Sequence, residues 1–455
     1  MRHAFHLPRG RCRCPAAPVQ DAMAVSGRGP GQRRTLEKQA FLALPPRLSI
    51  ERSPPDLYRE VGPLVAVLAG LGAWRVSAVR RASDEVGAEY ASAPWCSVRM
   101  VASALLLASL TVLSCVAVRS NMVELLSGQE PFLERVILVL HIVYETLPLS
   151  IPLLHLPAAA DLALYFNNWV RLQSSWHWVT GSPLRLESGR RARTVSAVIV
   201  VYSVLSPVYH QRVSRHMPMW KLPIYPVTVA LAIVLGSLWH ALNTEVVATS
   251  VKLRALFHQR RTSRRGLTGD AVRGYCMLWL RLRALTQELG GAWGAVILHA
   301  LVTMMVMAMT SVFGLLSALQ HGLWRRVIST IASVVWGVAL IFWICGQAHL
   351  AARSVRMPIH PVSREMLLEL LTMPLRTLND ETSVEVMRFV QVLSFKPVRV
   401  NLKGFVVATR ELSVASAATI TTYIVVLAQL ALTISAGLAK PSPESHDVTP
   451  SNRSG

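Results

Sequence analysis

The sequence predicts an all-α membrane protein with seven transmembrane helices. Of the 455 residues, 52% are hydrophobic and only 16% are charged. A soluble chain with a formal net charge of +22 would usually carry about a quarter charged residues. The mean hydropathy is +0.39, and the apolar residues lie in long runs. These observations exclude an ordinary soluble enzyme, an intrinsically disordered protein and a secreted disulfide scaffold.

Seven apolar runs are long enough to cross a bilayer, which takes about 20 residues in a helix. The runs that include 289–319 and 412–438 contain no Asp, Glu, Lys or Arg. An eighth run, residues 61–74, is too short to span comfortably, and we interpret it as a partly inserted or packing helix. The predicted spans are 100–118, 136–157, 194–210, 222–243, a helix within 289–319, 327–345 and a helix within 412–438.

The distribution of basic residues predicts a cytosolic N-terminus and an extracellular C-terminus. Segments 1–99, 158–193, 244–288 and 346–411 hold most of the 47 Lys and Arg residues, which the positive-inside rule places in the cytosol. These segments are also longer than those on the other side, so the density of basic residues is similar on both sides. A glycosylation sequon at 452–454 would face outward in this orientation.

The spans divide the chain into six segments. A basic tail, 1–55, precedes a cytosolic or partly inserted helical segment, 56–98. The first six spans occupy 99–346, a cytosolic segment 347–411, the seventh span 412–438 and a short extracellular tail 439–455. The first 55 residues have no early apolar core, so we expect no signal peptide. A disordered tail or an error in the gene start is favoured over a transit peptide.

The sequence carries no pattern typical of catalysis, metal binding or nucleic-acid binding. The six cysteines lack the spacing of a zinc site, and we expect no metal and no cofactor. Neither HExxH nor GxSxG nor a glycine-rich phosphate loop occurs, so we expect no enzyme. Basic loops such as 258–265 (HQRRTSRR) are explained by topology and anionic membrane lipid rather than by nucleic acid.

The seventh span places polar and aliphatic residues on one helix face. At 100° per residue, six residues, both polar and nonpolar, fall within an arc of roughly 120°. Tyr423 lies at the edge of this arc. In hydrocarbon such polar groups require partners or water. The face therefore indicates either a water-lined pore or interhelical hydrogen bonds made by Thr422, Tyr423 and Gln429. Its members are Thr422, Val426, Gln429, Leu430, Thr433 and Gly437.

Residues 386–438 resemble the C-terminal signature of insect gustatory receptors. In that family a cytosolic helix leads through Gly-Phe into a last span with Thr-Tyr, five apolar residues and Gln-Phe. Here Gly404-Phe405 precedes Thr422-Tyr423, five apolar residues and Gln429-Leu430. Leu replaces Phe at position 430, as it does in the related odorant co-receptor. The detailed resemblance covers about 55 residues, and the seven-span layout extends it loosely over the rest.

The resemblance implies a tetrameric, ligand-gated, non-selective cation channel in the plasma membrane of a sensory neuron. The seventh helices of four subunits line a central pore, and the cytosolic ends of the last helices anchor the tetramer. We assign Val426 and Leu430 to the hydrophobic constriction and Gln429 to a polar ring, with Thr422 and Tyr423 on the same pore. Aliphatic rings gate by dewetting, and amides replace part of an ion's hydration shell.

The resemblance also implies a ligand pocket in the outer half of spans two to six. His141 and Glu145 lie one turn apart on the second span, where ionisable residues are costly and often functional. The alternatives are a pair between these two residues, or Glu145 held by a neighbouring helix. Aromatic side chains in the predicted outer halves are further candidates for ligand contact: Tyr144, Tyr202, Tyr209, Tyr225, Phe313 and Trp336.

The resulting hypothesis is a gustatory receptor that admits cations when a small-molecule tastant binds, as a homo- or heterotetramer with related receptors. A seven-span G-protein-coupled chemoreceptor is the first alternative, although it requires an outward N-terminus, and no DRY-like triplet or NPxxY is present. A secondary transporter is the second alternative. Sugar receptors of the family often carry Glu after Thr-Tyr, where this chain has Ile424. Bitter compounds, fructose and carbon dioxide therefore stay open as ligands.

Overall fold

Seven helices of 26 residues or more form most of the described structure. The computed structural model describes residues 56–71, 73–74, 76–79, 89–92, 98–127, 132–213, 223–262, 267–320, 324–355, 370–373, 378–394 and 399–438. The predicted tails 1–55 and 439–455, with the sequon, lie outside the described residues. The long helices are α3 (Val98–Ser127), α4 (Phe132–Thr180), α5 (Ser188–Val213), α6 (Ile224–Thr262), α7 (Gly269–Gln320), α8 (Trp324–Val355) and α10 (Arg410–Leu438).

Shorter elements complete the chain. Before α3 come α1 (Leu57–Glu60), α2 (Gly62–Gly70) and an antiparallel hairpin of β1 (Val76–Val79) and β2 (Glu89–Ser92). Between α8 and α10 lie α9 (Asp380–Ser394) and a second antiparallel hairpin of β3 (Asn401–Leu402) and β4 (Val406–Val407). The two hairpins are short additions to the predicted all-α membrane fold, which the long helices confirm.

Five helical segments in the described part of the chain are long and apolar enough to cross a membrane. They are Val101–Ser127, Leu138–Thr180, Pro226–Thr262, Gly269–Leu315 and Gly337–Val355, and they overlap five of the seven predicted spans. Predicted spans 194–210 and 412–438 fall in α5 and α10, whose described residues do not meet the same criterion. The fold is that of a multi-pass helical membrane protein, and the number of seven crossings stays a prediction.

The helices continue well beyond the apolar runs that predicted them. The second predicted span ends at residue 157, whereas α4 continues to Thr180 and contains Pro148, Pro152 and Pro157. Proline is tolerated within membrane helices because neighbouring helices and polar side chains satisfy the freed backbone groups. Beyond Pro157 the helix is amphipathic, and its buried residues Trp169 and Trp176 belong to the hydrophobic core. Hydropathy finds only the part of such a helix that is apolar on all sides.

Helix α7 lies at the centre of the packing. It contacts α4, α6, α8, α9, β3 and α10. The indoles of Trp169, Trp239, Trp279 and Trp293 are fully buried in the core. Trp239 also donates from Nε1 to the backbone oxygen of Ile344 at 3.1 Å, which joins α6 to α8.

The N-terminal segment 56–92 packs against the bundle through an aromatic cluster of Tyr58, Trp74, Tyr90 and Phe166. The Tyr58 and Tyr90 rings lie 4.5 Å apart, and Phe166 of α4 meets Tyr58 edge-on at 5.2 Å. Asn167 binds β2 as a further strand would: its Oδ1 accepts from Tyr90 N at 2.8 Å, and its Nδ2 donates to Tyr90 O at 2.9 Å. This pairing satisfies one edge of the hairpin.

Three of the predicted cytosolic segments meet at one end of the bundle. Asn168 of α4 donates from Nδ2 to Glu288 of α7 at 2.8 Å. Lys252 of α6 pairs with Glu187 at 2.9 Å, and the Lys252–Glu187 contact joins segments 244–288 and 158–193. Lys403 of segment 346–411 pairs with Asp161 of segment 158–193 at 2.8 Å. The contacts agree with a common side for these segments, and their assignment to the cytosol stays a prediction.

Candidate functional site

The β3–β4 hairpin positions the start of α10. Its turn needs two positive backbone angles, φ 52° at Lys403 and φ 87° at Gly404. Asn401 accepts at Oδ1 from the Gly404 amide at 3.0 Å and closes the turn. Ala408 donates its amide to Val400 O at 2.9 Å, which extends the pairing almost to the first residue of α10. The Gly-Phe part of the family signature is therefore a tight turn, and Phe405 at its end is exposed.

Two glycines of α7 form the seat of this hairpin. A β-carbon at Gly290 would lie 2.5 Å from the backbone oxygen of Asn401, and one at Gly294 would lie 2.5 Å from the backbone nitrogen of Lys403. Only glycine permits so close an approach, because backbone atoms cannot move away as a flexible side chain can. The sequence analysis did not single out these residues. Their spacing of four, typical of close helix packing, is the signal that could have found them.

Helix α10 has a packed face and an open face. Ser413, Ser416 and Ile420 are buried, and α10 contacts α7 and α8. At 100° per residue, these three residues lie within one arc of about 60°. The exposed residues of the helix lie mainly on the opposite side, and they include Glu411, Val414, Ala418, Thr421, Thr422, Val425, Val426, Gln429 and Thr433.

The predicted pore residues whose side chains are described all lie exposed. Val426 is 52% exposed and Tyr423 is 53% exposed, and Thr422 and Gln429 are also exposed. The side chain of Leu430 lies outside the described part of the structure. The Thr422 hydroxyl donates to Ala418 O at 3.0 Å within its own helix, not to a neighbouring one. Thr433 does the same with Gln429 O at 2.9 Å. The hydroxyl oxygens therefore keep acceptor capacity toward the open side.

The second predicted site centres on Glu145 of α4. Its carboxylate is completely buried and accepts a hydrogen bond of 2.8 Å from Nδ2 of Asn121 on α3. This contact matches the alternative in which Glu145 is held by a neighbouring helix. Asn121 was missed because it follows the predicted end of the first span at residue 118, whereas α3 continues to Ser127.

Neighbouring contacts link this part of α4 to α6 and α7. The Tyr144 carbonyl accepts from Thr228 Oγ1 of α6 at 3.3 Å. Ser150 Oγ lies 2.7 Å from His299 Nε2 of α7, so His299 has a structural contact. His141, Tyr144 and Phe313 are half-buried. The side chains of Tyr202, Tyr209, Tyr225 and Trp336 lie outside the described part of the structure.

Comparison with known proteins identifies one family of relatives. The family described as "7tm Chemosensory receptor" matches residues 93–434. Gustatory and odorant receptor 24 of Anopheles gambiae is 26% identical over 316 residues, which are 70% of this chain and 66% of that protein. Gustatory and odorant receptor 21a of Drosophila melanogaster is 25% identical over 279 residues, which are 60% of this chain and 59% of that protein. The chain thus spans slightly less than two thirds of the length of these relatives.

Solved structures show the same fold. The insect olfactory receptor OR5 from Machilis hrabei superposes with a TM-score of 0.55 at 12% identity, covering 82% of this chain and 98% of OR5. The same receptor in complex with eugenol gives a TM-score of 0.54 at 11% identity, with the same coverage. At this identity the likeness concerns the fold, which extends over nearly the whole length of that receptor.

Proposed function

This chain belongs to the 7tm chemosensory receptor family, and from that membership we propose that it is a ligand-gated, non-selective cation channel that detects small-molecule tastants. The family is one of receptors rather than of enzymes. The observation that carries the channel proposal is the open face of α10, where Thr422, Val426 and Gln429 are exposed together.

A comparison with α3 supports a water-facing role for α10. Within residues 101–118 of α3 the large exposed side chains are aliphatic, for example Leu105, Val112 and Val116, as expected for a helix that faces lipid. The exposed face of α10 instead combines aliphatic residues with the Gln429 amide and several hydroxyls. An amide that faces hydrocarbon is costly unless it finds a partner or water. Facing an aqueous path removes that cost.

Four copies of α10 around one axis would complete the pore. Each copy would contribute Val426 to an aliphatic ring and Gln429 to an amide ring one turn away, with Leu430 next to it. A narrow aliphatic ring excludes water when closed and conducts once it widens, while the amides substitute for part of the hydration shell of a cation. The packed face of α10, with Ser413, Ser416 and Ile420, would transmit movements of α7 and α8 to these rings.

The ligand would bind in the outer half of the bundle, near Glu145 and the predicted aromatic residues. There the described hydrogen bonds already join α3, α4, α6 and α7. A ligand that binds the open arrangement of these helices more tightly shifts the population toward open channels. The protein would act in the plasma membrane of a sensory neuron, as a homo- or heterotetramer with its N-terminus in the cytosol.

The test is current recording from oocytes that express this chain alone, and then with a related receptor, under a panel of sugars, bitter compounds and carbon dioxide. We expect a stimulus-evoked cation current that persists in excised patches without GTP. Gln429→Ala should shift the reversal potential under bi-ionic conditions while surface expression persists. Gln287→Ala, the same change at an exposed position of α7, should not. A current that requires GTP would refute the channel proposal, and unchanged permeation in Gln429→Ala would refute the assignment of α10 to the pore.

A further inference from the structure

A cavity lies at the opposite end of the bundle from the predicted ligand pocket. It has a volume of about 190 Å³ and is bounded by α2, the start of α5, the middle of α6 and α8. Its apolar wall includes Leu64, Val195 and Ala241. A cavity of about 150 Å³ accommodates benzene, so this one has room for a single ring with a short side chain. None of the residues predicted to contact ligand lines it.

Glu245 supplies a buried carboxylate to this cavity. The side chain is only 2% exposed, and its Oε1 accepts the backbone N–H of Glu187 at 2.8 Å, just before α5 begins. This bond fixes the carboxylate in place by capping the helix N-terminus. The other oxygen, Oε2, makes no hydrogen bond of normal geometry within the part of the chain that the structure describes, and Ser188 lies beside the carboxylate. A buried carboxylate oxygen without a donor is costly, so a bound donor would gain free energy there.

Other polar groups lie around the same space. Ser188 is 5% exposed, and its side chain and backbone lie next to the Glu245 carboxylate. Nδ1 of His240 makes no hydrogen bond with a residue within the described ranges, and the His240 ring stacks on Trp343 at 5.3 Å and 29°. Both rings belong to the cavity wall. Aromatic faces attract cations, and a fixed carboxylate forms a short, charge-assisted bond with an ammonium group.

The cavity reaches the protein surface. Glu187 and Arg191 line it and are also exposed. The Glu187 carboxylate is already paired with Lys252 at 2.9 Å, so Glu245 presents the carboxylate oxygen that a ligand can use. Gly236 of α6 leaves room for the Trp343 ring, because a β-carbon at position 236 would lie 2.9 Å from that ring.

We infer that this cavity binds a small aromatic amine, with its ammonium group on Glu245 Oε2 and its ring against the apolar wall beside Trp343. Such a ligand would bridge α5, α6 and α8 at the end of the bundle that carries the β3–β4 hairpin. The site is separate from the tastant pocket of the proposed function. It can be tested by binding alone, so its failure leaves the channel proposal untouched and the reverse is also true.

The experiment is isothermal titration calorimetry on the purified full-length protein in lipid nanodiscs, with phenethylamine and its neutral analogues 2-phenylethanol and ethylbenzene. We expect phenethylamine to bind at least about tenfold more tightly than either analogue, because it alone forms an ionic hydrogen bond. Glu245→Gln keeps an oxygen for the Glu187 amide and should lose this preference. Glu288→Gln, which changes a half-buried carboxylate outside the cavity, should keep it.

A second variant separates loss of the site from loss of the fold. Ala241→Phe fills the cavity and retains Glu245, and it should abolish binding of phenethylamine while the elution profile on size exclusion stays that of the wild type. Equal affinity for the amine and the alcohol, undiminished amine binding in Glu245→Gln or Ala241→Phe, or no binding of phenethylamine to the wild type at millimolar concentration would overturn the inference.

Discussion

Asn121 of α3 donates a hydrogen bond of 2.8 Å to the completely buried carboxylate of Glu145 on α4. The bond ties the first two long helices together at the level where the predicted ligand pocket lies. A polar contact of this kind is strong in a medium of low dielectric constant, and removing one partner is costly because the other stays buried.

The Asn121–Glu145 contact leads to the first prediction. Asn121→Leu removes a donor from a buried carboxylate and should lower the free energy of unfolding by about 1–3 kcal/mol. Glu145→Gln retains the shape and an oxygen for Asn121, so it should cost less than about 1 kcal/mol. Thermal melting of the detergent-solubilised protein measures both effects, with Gln287→Leu at an exposed helical position as the control. Equal melting temperatures for Asn121→Leu and the control would contradict the structural role.

The same variants separate structure from ligand recognition. If Glu145 binds the tastant, Glu145→Gln should shift the concentration for half-maximal current although the melting temperature changes little. A purely structural Glu145 predicts an unchanged concentration dependence. Dose–response curves from oocytes, matched for surface expression, decide between these two outcomes.

The glycine seat of the hairpin leads to the second prediction. Gly290→Ala and Gly294→Ala each place a β-carbon 2.5 Å from a backbone atom of β3 or its turn, which should cost about 1–3 kcal/mol and displace the hairpin. Gly291→Ala meets nothing within 4 Å and should be neutral or slightly stabilising, since alanine favours helix. Melting temperatures and evoked currents would both fall in the first two variants. Loss of the same size in Gly291→Ala would show that helix α7 itself, not the seat, is sensitive.

The turn at the tip of the hairpin leads to the third prediction. Gly404 has φ 87°, so Gly404→Ala should cost about 1–2 kcal/mol through backbone strain. Lys403→Met removes an ion pair with Asp161 whose side chains are partly exposed, and exposed pairs contribute at most about 1 kcal/mol. The melting temperature should therefore fall more in Gly404→Ala than in Lys403→Met. Gly346→Ala, at an open helical position, serves as the control, and the reverse order would refute the strain argument.

Much of the helical architecture follows from composition and periodicity, because long apolar runs have few alternatives to a membrane helix. What hydropathy misses is the continuation of such helices as amphipathic segments, as in α4 beyond Pro157. The last helix was recognisable by its motif, and its exposed residues Thr422, Val426 and Gln429 share the face that the 100° repeat predicted.

The partners across helices were not predictable from one sequence. The Asn121–Glu145 contact depends on the rotation and height of α3 relative to α4. The Gly290–Asn401 contact depends on where a hairpin much later in the chain packs on α7. The hairpins were missed for a related reason. Strands of two residues, such as β3 and β4, leave no alternating pattern, and only Lys403-Gly404 marks the turn.

The central claim is that α10 lines an aqueous ion path, and cysteine accessibility during current recording tests it most directly. Val426→Cys should let an external, positively charged thiol reagent block the evoked current irreversibly, faster when ligand opens the channel. Ile420→Cys, on the packed face, and the wild type with its native cysteines should keep their currents. A Val426→Cys current that the reagent leaves unchanged, in open and closed channels alike, would contradict the account.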